Sequence, residues 1–331
     1  RDTEAGLIKH VRGMITDHNA DQQQHQMQVQ AGLELPPPGV VVLDASASQR
    51  AGGMALALGR DQPIIVQPGS RIDETPTRDH IEKLNEAIMA QCVQWNVIDP
   101  RSWFGITLAG DYPYRYQVYD DPNAFYATDD ALGRGRDASR QAVVGRLMPT
   151  TAHSIYMAMC SLFLHPKKTM IIDTYADKRE LVWEPYKFGI AARMLKDRWY
   201  DVDMLQKNHA NIAQYRKLIR PVNTFDLFFI NSAGGVRTWN LIGQSNHHDM
   251  PMGGPNAMYM VHSFSATDPY DRQTLSGAAL WGGTYWFFGS VFEPYLNAYT
   301  RPTPMMHKIL AGTPMAFAAR HAPELGPQQT W

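Results

Sequence analysis

Val143-Val144-Gly145-Arg146-Leu147-Met148 is an apolar run of strand length, and Pro149-Thr150-Thr151 punctuates it before Met157, Cys160 and Leu164 recur on one side of a helix ending near Leu164. Thr169 to Ile172 then supplies a second buried-strand run. Strand, helix, strand is the unit that joins parallel neighbours, because a parallel pair needs a crossover. The same grammar extends toward the N-terminus. Val40 to Leu43, Ser46 to Leu58 and Gln62 to Val66 read as strand, helix and strand, and Thr77 caps a helix with Ile81, Leu84, Ile88 and Cys92 at three- and four-residue spacing before strand Phe104 to Leu108. It also extends toward the C-terminus, through helix Trp183 to Trp199, strand Val202 to Leu205, helix Asn211 to Ile219, strand Phe225 to Ile230, strands Ala257 to Phe264 and Gly283 to Gly289, and the helix Pro304 to Leu310. This alternation predicts an α/β fold, a mostly parallel sheet flanked by helices on both faces. In such sheets the working site lies beyond the carboxyl ends of the strands.

The chain has 331 residues and 37.3 kDa, with 31 basic against 32 acidic side chains. That balance leaves no electrostatic footprint for nucleic acid, and no apolar run reaches the ~18–20 residues of a membrane-spanning helix. Two cysteines, Cys92 and Cys160, exclude a disulfide scaffold and leave the redox compartment open. Residues 1–38 are polar and Gln-rich and end in Pro36-Pro37-Pro38-Gly39, so they read as an extended arm or linker that crosses onto a neighbouring chain or domain. Residues 39–110 read as an N-terminal α/β subdomain and 111–331 as the main domain. The chain starts at Arg1 without the charged and apolar regions of a signal peptide, which predicts a processed part of a longer product. Seventeen Met and many aromatic side chains with only 19% charged residues fit either a Met-rich core or a surface that packs against other subunits.

The strand ends, taken in order, carry a pattern. Thr107-Leu108-Ala109-Gly110-Asp111-Tyr112-Pro113 is a strand with a Gly-Asp turn, Thr128-Asp129-Asp130 is an Asp-rich segment, and Val144 to Thr151 is a Gly-Arg strand entering a helix. Asp226 to Ile230 runs on to Gly234-Gly235 and Trp239, Tyr259 to Ser265 forms a later strand, and Leu275 to Ala279, Gly282 to Tyr295 and Gly312 close the series. In this order the stretches resemble the gingipain family of cysteine peptidases over roughly residues 105–320. The resemblance implies a caspase-like α/β fold, a catalytic Cys and His on two strand ends, and export to the cell envelope or the extracellular space.

A cysteine-peptidase dyad needs an ionisable thiol with an imidazole in hydrogen-bond reach. Aligned on the strands and glycines, the resemblance puts Ala233 at the His position and Ser265 at the Cys position. Both halves of the dyad are thereby replaced, which implies a non-catalytic pseudo-peptidase domain serving as a structural or interaction subunit, with protein partners, in a larger assembly. The alternative is a hydrolase with Ser265 as nucleophile, His247 or His248 as base and Asp249 as orienter. His262 projects away from Ser265 if the strand stays regular, and so reads as a packed or edge histidine. A metal on His247-His248-Asp249 is disfavoured because adjacent side chains rarely converge on one ion. Asp120, Asp121, Asp129, Asp130 and Asp137 concentrate carboxylates as a calcium segment does, and related peptidases bind that ion. The strict spacing of a calcium loop is absent, so turn-forming and capping roles are preferred, and Ca2+ is the one candidate cofactor. Ala233-Gly234-Gly235 reads as a tight turn before it reads as an anion nest. Trp281, Tyr285, Trp286, Phe287, Phe288 and Phe292 read as sheet core before a partner-binding face.

Overall fold

A computed structural model describes residues 39–69, 76–95, 97, 104–118, 121–135, 139–293 and 295–320. They gather into two compact units, residues 39–118 with 128–163 and residues 121–127 with 164–320. The expected arm, residues 1–38, lies outside the described residues. In chain order the first unit contributes β1 (Gly39–Leu43), α1 (Arg50–Gly59), β2 (Ile64–Val66), α2 (Arg78–Gln94), β3 (Phe104–Ala109) and β4 (Arg115–Val118); β5 (Asp121–Ala127) belongs to the second unit, and α3 (Thr128–Leu132), β6 (Ala142–Arg146) and α4 (Thr151–Phe163) to the first. The strands β2-β1-β3-β6 form an all-parallel sheet. β1 is five residues, all buried, with no polar alternation, as a parallel strand covered on both sides must be. Two glycines let α1 press close. A Cβ on Gly52 would stand 2.5 Å from the Ser154 carbonyl oxygen of α4, and one on Gly53 would stand 2.6 Å from the Ala109 Cβ.

The second unit runs β7 (Lys168–Asp173), α5 (Gly189–Lys196), β8 (Asp201–Gln206), α6 (Ile212–Ile219), β9 (Leu227–Asn231), the short hairpin β10 (Thr238–Trp239) and β11 (Ser245–Asn246), β12 (Asn256–Val261), α7 (Leu275–Gly282), β13 (Thr284–Phe288), α8 (Pro302–Leu310) and α9 (Met315–Ala319). Its five parallel strands are ordered β13-β12-β9-β7-β8. On one face Met170, Ile172, Phe228, Ile230, Met258 and Met260 pack with Tyr215 of α6 and Leu275 and Ala279 of α7. On the other a row of rings crosses the strands. Phe229, Tyr259 and Phe288 are paired in register, with centroids 6.5 and 5.1 Å apart, and Phe188 adds to the row at 6.1 Å. Nine strands thus divide between two parallel sheets, where the sequence pattern alone predicts one, and β4–β5 and the antiparallel β10–β11 form two-stranded sheets beside them.

Three local differences bear on the site. The single helix expected from Trp183 to Trp199 is a 3-10 turn, Glu184–Tyr186, followed by α5 from Gly189, because the Phe188 N–H between them donates to the Asp173 carboxylate at 2.7 Å. The strand expected from Ala257 to Phe264 ends at Val261, and Phe264 adopts φ 62°, turning the chain before Ser265. β6 pairs with β3 and α4 packs on α1, so residues 128–163 join the first unit, whereas the sequence reading groups everything after residue 110 together.

Phe228 is fully buried at the centre of the second sheet. Replacing it with alanine, F228A, is expected to lower the unfolding free energy of that unit by ~3–5 kcal/mol in a urea titration.

Candidate functional site

The carboxyl ends of β7, β9, β12 and β13 form the rim where a doubly covered parallel sheet keeps its chemistry. β7 ends in Asp173, a buried carboxyl that accepts from the Tyr175 N–H at 3.1 Å, the Phe188 N–H at 2.7 Å and the Asn231 amide at 2.8 Å. Burial raises its pKa, and the same hydrogen bonds oppose that rise. Asn231 ends β9 and also donates to the Tyr186 carbonyl at 2.9 Å. Together they tie the loop 174–188 to the sheet.

The chain leaves β9 through Ser232-Ala233-Gly234-Gly235. Ala233 is exposed, and its carbonyl accepts from the Asn240 N–H at 3.0 Å. Gly234 is required by space as well as by its φ of 155°. A Cβ there would stand 2.2 Å from the Thr238 carbonyl oxygen and 2.5 Å from His262 Nε2. The Gly235 N–H closes the turn onto the Thr238 carbonyl at 2.9 Å, so this amide is spent within the protein rather than on an anion.

At the end of β12, Ser265 is fully buried. Its hydroxyl donates to the His262 carbonyl at 2.9 Å and accepts from the Ser290 N–H at 3.2 Å. A Cβ on Gly289 would fall 2.3 Å from that hydroxyl oxygen, so glycine follows β13 where the two strand ends close on each other. The first residue past the strand, His262, is buried, and its Nε2 donates to the Thr238 carbonyl at 3.0 Å. Its Nδ1 has no hydrogen-bond partner among the described residues. Burial holds the imidazole neutral, down at about 4. The premise of strict alternation fails here because the strand has already ended, yet His262 is a packed histidine.

The stretch His247–Asp249 is a 3-10 turn capped by Asn246. The two imidazoles stack with centroids 3.9 Å apart, and burial followed by the repulsion of His248 and Arg237 lowers the His247 pKa. Asp249 is wholly buried and engages Arg216 through both oxygens, at 2.7 and 3.1 Å, and the Asn246 N–H at 3.1 Å. Its oxygens serve a guanidinium and a turn. The hydrogen bonds of Ser265 run to backbone groups, and none among the described residues joins it to His247 or His248.

A further serine stands at this rim. Ser263, unlike Ser265, is half-buried, and its hydroxyl donates to Glu293 at 2.9 Å. A strand expected to run to Phe264 hides it in the sequence, although the Ser-Phe-Ser run signals that two hydroxyls compete for one strand end. Both thiols are buried. Burial pushes Cys92 up to about 12 and raises Cys160 as well.

Of the candidate calcium ligands, Asp129 pairs with Arg146 and the fully buried Asp130 pairs with Arg134, at 2.7 Å, and with Arg140. Arg146 also donates to the Tyr112 and Pro113 carbonyls, at 2.8 and 3.0 Å. Asp120 and Asp137 lie outside the described residues, as does the side chain of Asp121. Among the described residues no group of three or more His, Cys, Asp or Glu side chains converges as a metal site would. In the aromatic cluster Tyr285 and Phe288 are buried while Trp281, Trp286, Phe287 and Phe292 are half-buried.

Comparison with solved structures places this arrangement. The Arg-specific cysteine proteinase gingipain R superposes with a TM-score of 0.56 at 11% identity, covering 84% of this chain and 69% of that one. The fold is gingipain-like. A complex of the pro- and mature domains of Porphyromonas gingivalis RgpB superposes with a TM-score of 0.54 at 12% identity, covering 82% of this chain and 67% of that one. No family model and no curated protein sequence matches the chain. The parallel sheets and flanking helices are those of the caspase-like gingipain-type fold that the strand-end pattern implies.

The His262 pKa is depressed relative to the ~6.5 of an unfolded histidine, so the stability it contributes is complete above that value and lost as pH falls toward 4. The H262Q variant is expected to lose less stability than wild type between pH 7 and pH 4.5, by a few kcal/mol in urea titrations at the two pH values. Equal losses would show that His262 is not buried neutral.

Proposed function

We propose that this chain is a non-catalytic, gingipain-like domain that serves as a structural or interaction subunit of a larger protein assembly. The observation that carries the reading is the Ser265 hydroxyl. It is buried and held between the His262 carbonyl and the Ser290 N–H, so it acts as a strand-end tie. A serine attacks a carbonyl only when a base removes its proton, and its neighbours here are a carbonyl oxygen that accepts that proton in a hydrogen bond without taking it and an amide that donates its own. Ala233 supplies no imidazole, Asp249 serves Arg216, and the two histidines of the 3-10 turn lack that carboxylate as orienter. Asp129 and Asp130 act in this reading as arginine anchors and not as cation ligands. The low charge and aromatic content suit a subunit that buries surface against partners, and the resemblance to gingipains points to the cell envelope or the extracellular space as its place.

Two measurements test this. Incubation of the intact protein with a fluorophosphonate probe is expected to label neither Ser265 nor Ser263, while purification from its source after mild cross-linking yields it with stoichiometric partner proteins. Labelling at Ser265 that disappears in S265A, or a chain that remains monomeric throughout, would sink the proposal. Addition of 1 mM CaCl2 against EGTA is expected to leave Tm unchanged to within ~1 °C, since a ligand that binds the native state raises Tm with its concentration; a rise of several degrees would restore the acidic segment as a cation site.

A further inference from the structure

The helix pair α1 and α4 of the first unit carries an apolar outer surface. α4 holds no Asp, Glu, Lys or Arg among its thirteen residues, and Ile155, Met159 and Phe163 recur every four residues along one face. They are 38%, 48% and 66% exposed. A helix that is apolar on its outer face as well as its inner one is ordinarily a buried helix, so this face calls for a cover. α1 extends the surface. A Cβ on Gly52 would meet the Ser154 carbonyl oxygen and one on Gly59 would stand 2.6 Å from Leu162 Cδ1, so the two helices run parallel and in near register. Leu58, 54% exposed, therefore shares the carboxyl-terminal end of the pair with Phe163.

The chain enters the described residues at that same end. A Cβ on Gly39 would stand 2.9 Å from Gln62 Nε2, and the Gln62 N–H donates to the Ala57 carbonyl at 2.9 Å, so residues 1–38 join the fold beside the last turn of α1. In that N-terminal sequence Leu7, Ile8, Val11, Met14 and Ile15 recur at the spacing of one helical face, with Lys9, His10 and Arg12 between them. Residues 16–38 can span up to ~75 Å, whereas α4 is only ~20 Å long, so the connection is long enough to lay the stretch anywhere along the face.

We propose that residues 7–15 cover the outer face of α4 and the Leu58 end of α1 in the same chain, apolar side against apolar side. The tether holds the stretch at an effective concentration on the order of millimolar, which a second copy of the chain does not match at ordinary protein concentrations. Coverage withdraws Ile155, Met159 and Phe163 from water, which is the main favourable term in such a contact. The proposal goes beyond the reading of the rim, since nothing at Ser265 or His262 takes part.

Trypsin and hydrogen exchange on the full chain test it. In M159D/F163D, changed at exposed positions, cleavage after Lys9 and Arg12 is expected to be at least ~10-fold faster than in wild type at unchanged Tm, because a covered stretch must leave the face before a protease takes it. In the reciprocal variant V11D/I15D, exchange of the amides of residues 151–163 is expected to quicken by a similar factor, and V11L/I15L is expected to keep the wild-type rate. If M159D/F163D fails to fold, V11D/I15D decides alone. Unchanged cleavage in a folded M159D/F163D, or unchanged exchange in V11D/I15D, would overturn the proposal. So would light scattering that shows a wild-type dimer turning monomeric in M159D/F163D with cleavage after Lys9 and Arg12 unaltered, since a second copy would then be the cover.

Discussion

A parallel sheet leaves its strand ends as unpaired backbone, and in the second unit one buried hydroxyl bridges two of these ends. Ser265 joins the His262 carbonyl just past β12 to the Ser290 N–H just past β13. Each bond removes a buried polar group from the list of those that would cost free energy unmade. The constraint spreads from there. Gly289 must lack a side chain to let the hydroxyl in, Phe264 must take a positive φ to bring it round, and His262 is drawn inward until its ring meets Thr238 across the turn that follows β9.

That turn in turn requires Gly234, whose absent Cβ makes room for both the Thr238 carbonyl and the histidine ring. On the other side of β9 the pair Asp173 and Asn231 performs a comparable task, gathering three N–H groups and a carbonyl into a network that fixes the loop up to α5. The buried polar groups of the rim are therefore largely satisfied by one another, with His262 Nδ1 the exception among those named. Tyr299 belongs to the same network, its hydroxyl donating to the His262 carbonyl at 2.8 Å.

The first unit solves an analogous problem with charge. Asp130, buried among Arg134 and Arg140, and Asp129, held by Arg146, neutralise arginines that would otherwise be costly inside the protein. Arg146 uses its remaining donors on the carbonyls of Tyr112 and Pro113, which pins the turn after β3 to β6. An acidic run that looks like a cation segment in one dimension thus meets arginines four, ten and seventeen residues away in three.

The strands and helices were legible because burial on both faces writes itself into local sequence. β1 is an unbroken apolar run, β9 and β12 are apolar apart from Asn231 and Asn256 at one end, and caps such as Thr77 and Asn211 mark where α2 and α6 begin. The order of strand-end motifs carried the gingipain-like fold as well. What local sequence could not hold was the partner of each polar group. Whether Asp249 orients an imidazole or grips Arg216, and whether Ser265 or Ser263 faces outward, depends on contacts between segments far apart in the chain. Hydrophobic periodicity is a property of neighbours, whereas a hydrogen bond or an ion pair is a property of which distant neighbours the packed sheets bring together.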